Sequence, residues 1–260
     1  MLKRNWTHDE TVLAFALYCR TQFGQIDKNN PNVIALAKLI DRTPSSVAMK
    51  MCNLARCDPA QRERGISGLA NGSKLEPQVF EEYANDWESL ALEEQRLRAE
   101  LSGRSIEQTL AADNNIELDD LPEGEYREAL VKERIGQEFF REAVLTAYKS
   151  QCCVTGLSEP QLLVASHIKP WAACDVKKER LNPGNGLCLN SLHDKAFDRG
   201  LITVDHNYKI IISRHIKAAE MDDKTRSWFM SYEGRCIDLP SKFLPSKEFL
   251  EYHNDVVFQK

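Results

Sequence analysis

Between Ser166 and Gly200 three polar clusters follow one another: S-H-I-K-P-W, N-P-G-N-G-L-C-L-N and H-D-K-A-F-D-R-G. The first ends an apolar run from Leu162 to Ala165 that reads as a short strand, which puts His167 at a strand's end. The second, Asn182 to Gly186, is turn chemistry before another short apolar run. The third reads as a helix on which Asp194 and Asp198, four residues apart, share one face, with His193 one step round from them. Taken singly, each cluster has a structural explanation. A histidine in an apolar run packs and hydrogen-bonds, F-D-R-G can be a helix end with its glycine cap, and an Asn before Gly suits a turn. Their order and spacing together suit metal-assisted phosphodiester hydrolysis: imidazole takes the proton of a water, and hard oxygen ligands hold a cation against the phosphate.

On these residues the chain resembles the HNH nucleases, in the prokaryotic branch reading A-H-I-x-P-W, N-G-L-x-L and F-D-x-G, over roughly Val131 to Ser213. The approach segment Arg134 to Arg141 and the run Cys153-Val154-Thr155-Gly156 are similar to that branch as well. The resemblance implies a ββα-metal fold and a DNA endonuclease that uses a divalent cation, Mg²⁺ or Mn²⁺ first and Zn²⁺ or Ni²⁺ after them. It implies His167 as general base and Asn185 as the central asparagine that braces the loop. Asp194 and Asp198 become metal ligands, with His193 or water completing the set, and Lys169 would hold a neighbouring phosphate. Many HNH nucleases carry Asp, His or Glu just before the catalytic histidine, as a further ligand, whereas here that residue is Ser166. That departure favours the opposing reading, a non-catalytic DNA-binding or adaptor protein that keeps the fold.

The remaining chain fits around this centre. The polar start, Met1 to Trp6, is no signal peptide, and no run of about eighteen apolar residues could span a bilayer, so a cytoplasmic protein is expected. None of the eight cysteines forms a C-x-x-C pair, which argues against a zinc knuckle and for buried reduced thiols. The net charge of −5 conceals an uneven distribution. Residues 1 to 57 carry eight basic against four acidic side chains, and residues 58 to 123 carry six against sixteen. The basic end is therefore where a phosphate backbone could dock.

Three helices are expected in that end, over residues 1–58. Thr7 with Glu10 forms a capping box before Val12, Leu13, Phe15, Ala16 and Cys19; Asn30-Pro31 opens a second helix with Ile34, Ala37 and Ile40 inward; Thr43-Pro44 opens a third. On the third, Val47, Met51 and Leu54 form an apolar stripe beside a polar one of Ser46, Lys50 and Asn53. This resembles the trihelical helix-turn-helix modules found fused to HNH nucleases, and gives Arg42, Ser46, Lys50 and Asn53 as candidate DNA contacts, against a plain helical bundle as the alternative. Residues 59–123 are read as an acidic helix and linker. From Pro77, apolar residues from Phe80 to Leu101 recur at heptad-like steps, a stripe that could pair two subunits as a homodimer or pack on its own chain. Residues 124–260 are read as the nuclease domain. It contains a helix from Tyr126 to Lys149, a hairpin at Leu201–Val204 and Tyr208–Ser213, and a terminal helix from Glu248 to Phe258 whose His253 is structural. The whole is expected to be an α+β protein, an N-terminal helical bundle followed by a ββα-metal domain.

Overall fold

The computed structural model describes residues 4–63, 65, 73–109 and 125–260. The chain divides into two compact units, residues 1–143 with 176–181, and residues 144–175 with 182–260. The α+β architecture is as expected, helical toward the N-terminus with two small sheets in the second unit. No helix among the described residues is long and apolar enough to cross a membrane.

The first unit is built around α1 (His8–Cys19). Its capping box forms as read: Thr7 accepts from the Glu10 N–H at 3.2 Å while Glu10 accepts from the Thr7 N–H at 2.9 Å. Every residue from Glu10 to Cys19 is buried, so the helix has no solvent face and needs neighbours all round. It obtains them from α2 (Pro31–Leu39), α3 (Pro44–Ala55), α5 (Leu75–Ala84) and α6 (Trp87–Ser102), with α4 (Pro59–Glu63) between the two groups. Residue 58 is thus no boundary, because helices on both sides of it cover the same apolar rod. Ile34, expected inside, is exposed, and α2 buries Val33, Leu36 and Ala37 instead.

The single helix expected from Pro77 is two. The first ends at Ala84 with Asn85 as its C-cap, and Asp86 caps the second, its carboxylate accepting from the Ser89 N–H at 3.1 Å. Most of the apolar stripe is consumed within the unit, with Tyr83, Trp87, Leu90 and Leu97 buried and Leu101 exposed; Phe15 meets Phe80 at 5.0 Å and Trp87 at 6.1 Å between ring centroids. Packing on its own chain is therefore the arrangement realised. Most of the expected linker, residues 110–124, lies outside the described residues.

The polar stripe of α3 also turns inward. Lys50 is 4% exposed, its ammonium 2.7 Å from Glu76 and 4.9 Å over the Trp6 ring. Asn53 is buried, and Arg42 stacks on the same Trp6 ring and pairs with Glu10 at 2.7 Å. Because α5 packs over α3 and brings a carboxylate, the charge meets a partner inside rather than a phosphate outside. Lys50 and Asn53 accordingly present no groove-reading face, and Ser46 lies in the first turn of α3, its N–H given to the Thr43 cap.

The long helix α7 (Glu125–Ala147) begins in the first unit and ends in the second. There β1 (Leu163–His167) and β2 (Gly186–Asn190) pair antiparallel, Leu163 opposite Asn190 and His167 opposite Gly186, and α8 (Ser191–Asp198) packs on both. A hairpin of β3 (Ile202–Val204) and β4 (Ile210–Ile212) follows, then α9 (Arg214–Ala218), α10 (Asp223–Met230) and α11 (Lys247–Tyr252). Alpha11 runs into a π-helical turn, His253–Val257. Gly200 joins this turn to the end of α8: its φ is +65°, and a Cβ there would lie 2.0 Å from the Val257 carbonyl oxygen. All eight cysteines are free, and no group of three or more His, Cys, Asp or Glu among the described residues could hold a metal by itself.

Candidate active site

Beta1 ends at His167, and two devices fix the chain on either side of it. The ring packs edge-on against Trp171, 5.4 Å between centroids at 87°. Just beyond, the fully buried Asn185 clamps the backbone of Lys169: its Oδ1 accepts from the Lys169 N–H at 2.8 Å and its Nδ2 donates to the Lys169 carbonyl at 3.2 Å. The same amide donates to Cys174 Sγ at 3.2 Å, and the Asn185 carbonyl accepts from the Ile168 N–H at 2.9 Å. A buried amide with both ends occupied holds one orientation, so the segment after the histidine is fixed from across the loop.

Helix α8 is set by Asn190, whose side chain accepts from the N–H groups of Leu192 and His193 at 3.1 and 3.0 Å. Its i, i+4 spacing turns Asp194 and Asp198 to one side, where they line a cavity of about 530 Å³ together with His167, Trp171, Lys195 and Arg199. Burial, and then the neighbouring Asp194, push the Asp198 carboxyl above its ordinary range, offset by Lys195 and Arg199. A carboxylate pair on one wall, with Asp198 made harder to ionise by burial and by its neighbour, favours a bound cation. Their hard oxygens, with no cysteine on that cavity, fit a divalent ion that keeps several waters.

Two expected site residues, His193 and Lys169, lie off this cavity. His193 is buried, with Nδ1 3.1 Å from Asn190 Oδ1 and Nε2 3.0 Å from the Trp228 carbonyl, among the rings of Phe229 and Tyr232. One helical step from Asp194 rotates it away from the cavity, and burial lowers its pKa. Both ring nitrogens face protein acceptors, so it completes no ligand set. Lys169 is clamped through its backbone and carries its ammonium 5.3 Å from the Tyr252 ring centroid, off the cavity wall. Ser166 lines the cavity but is buried, and its Oγ has no hydrogen-bond partner among the described residues. His253 is structural, as read: it stacks on Phe197 at 3.8 Å and contacts Thr203 Oγ1 at 2.8 Å and the Phe197 carbonyl at 3.1 Å.

Sequence reasoning missed Lys195 and Arg199, although H-D-K-A-F-D-R shows each following an acid with the same four-residue spacing. A search of curated proteins finds no match to the chain. Residues 152–205, which span β1 and β2, the asparagine loop, α8 and β3, match the model of the HNH endonuclease family.

Proposed function

We propose that this chain is a divalent-metal-dependent endonuclease that hydrolyses DNA phosphodiester bonds. The observation that carries this reading is the single cavity in which the strand-end His167 faces the carboxylate pair of α8, inside a segment that matches the HNH endonuclease family. His167 takes the proton of the attacking water, and Trp171 and the Asn185 clamp hold the imidazole in place for it. Asp194 and Asp198 would hold the divalent ion, which when bound neutralises the scissile phosphate and the departing oxygen. Lys195 and Arg199 bring positive charge to the same wall and contact the phosphates on either side of the break. A cutting domain joined to a separate helical unit suits restriction or another defence against foreign DNA.

The test is nicking of supercoiled plasmid by purified protein. Cleavage should require Mg²⁺ or Mn²⁺, stop with EDTA, and fall at least ~10²-fold in His167→Ala, the low end for loss of a general base. The second reading, a DNA-binding or adaptor protein that retains the fold without turnover, is favoured by Ser166, which supplies no charged ligand beside the histidine. Undiminished nicking by His167→Ala would sink the assignment of the base, while no nicking by the intact protein under any divalent ion would leave the adaptor reading.

A further inference from the structure

The two supports of His167 meet at a third residue. Trp171, whose ring stands against the imidazole, lies in a short 3₁₀ turn, Trp171–Ala173, that Cys174 closes by giving its N–H to the Trp171 carbonyl at 3.3 Å. The thiol of Cys174 then enters the Asn185 clamp. Its Sγ donates to the Lys169 carbonyl at 3.2 Å and accepts from Asn185 Nδ2 at 3.2 Å, while the same Nδ2 donates to the same carbonyl at 3.2 Å. The three heavy atoms form a closed triangle with equal edges. In it the amide nitrogen donates twice, the carbonyl accepts twice, and the sulfur does one of each. Cys174 is 7% exposed and Asn185 fully buried, so water has little access to stand in for a member. A turn's end and a buried gap would ask for less: the backbone N–H closes the turn, and any small apolar side chain would fill the space. The triangle needs a side chain at position 174 that donates and accepts at once.

We propose that Cys174 is a positioning residue for His167. Its thiol ties the turn that carries Trp171 to the clamp on Lys169, so the contact at the ring and the brace two residues beyond it hold the imidazole as one unit. The proposal rests on His167 acting as the base. Cys174 is not among the residues that line the cavity, so its loss should act on the orientation of the base and not on binding of DNA or cation.

The test compares Cys174→Ala with Cys174→Ser, whose hydroxyl both donates and accepts. In plasmid nicking with Mg²⁺ or Mn²⁺, kcat of Cys174→Ala should fall between ~10-fold and ~10²-fold, the larger figure being the cost of an ångström's misplacement. KM for DNA and the cation requirement should stay near those of the unaltered protein, and Cys174→Ser should recover most of the loss. The ring resonances of His167 follow the same geometry without turnover; in histidine-labelled, metal-free protein they are identified by their disappearance in His167→Ala. They should broaden or shift in Cys174→Ala and return in Cys174→Ser. Thermal melts check folding, and if the alanine variant does not fold, Cys174→Val, which fills the space without donor or acceptor, takes its place. Should the unaltered protein fail to nick, the assignment of the base falls, and the resonances alone decide whether Cys174 holds the ring. Unchanged His167 resonances in the folded alanine or valine variant overturn the proposal. So does a fall in kcat that Cys174→Ser leaves unrepaired, which would mark lost packing.

Discussion

Asn185 touches no reacting atom, yet its amide closes a ring with the Lys169 backbone two residues beyond His167. It is a positioning residue. Asn185→Ala strands the part-buried Lys169 N–H and takes one of two donors from the Lys169 carbonyl, leaving it Cys174 Sγ, which should cost about 1–3 kcal/mol of stability. The imidazole should then wander, and a misplacement on the scale of an ångström costs roughly 10²-fold in rate. The expected result is therefore a folded protein whose kcat falls while KM for DNA and the cation requirement stay close to wild type. A variant that keeps kcat would assign Asn185 to the turn alone, the role its sequence context already explains. The resemblance implies that Asn185 braces the loop, but the partner it clamps is not legible in the residues, because the two lie sixteen apart and meet only when β1 and β2 pair. His193 shows a related limit. Periodicity places it one step round from the acids, but only the packing of α10 shows that this step points it into protein.

At the level of elements, caps and turns were the most readable features and faces the least. Thr7, Asn30 and Thr43 cap the three helices read from them, since a cap is satisfied within one turn of chain. The polar stripe of α3 was misread, because what covers a helix lies far away in sequence; here it is Glu76 on α5. The same holds for the turn after α11, where His253 ties α8, β3 and the C-terminal segment together. Burial lowers the His253 pKa from 6.5 to about 4. Above pH 6.5 both folded and unfolded chains carry it neutral, so its titration changes nothing. As pH falls below that value the unfolded chain takes up a proton that the folded chain refuses until about pH 4, so stability is progressively lost across this window. The full difference is about 3 kcal/mol. Urea unfolding between neutral and acidic pH should show a shallower loss for His253→Gln than for the wild type. Parallel curves would mean that other groups govern the acid response.

Across the whole molecule, a net charge of −5 gives no general attraction to DNA, so any phosphate contact must be local. The basic excess of residues 1–57 pointed to the N-terminal helices. Folding consumes much of it: Arg4 and Arg42 pair with Glu10, Arg20 with Glu94 and Glu142, and Lys50 with Glu76. A charge count along the chain sees the excess but not these partners. Lys195 and Arg199 are exposed beside the proposed scissile position, and each phosphate they neutralise should release counterions from duplex DNA. Replacing both by Ala should reduce the slope of log K against log salt by about 1.8, from ~0.9 per phosphate contact. By contrast, the double substitution Lys50→Met with Glu76→Leu removes a buried pair without orphaning either partner, and should leave the slope unchanged. Gel-shift titrations at several salt concentrations, without divalent ions so that nothing is cut, compare the two. A reduced slope in the Lys50 and Glu76 variant, with none in the Lys195 and Arg199 variant, would move the DNA contact from α8 to the N-terminal helices.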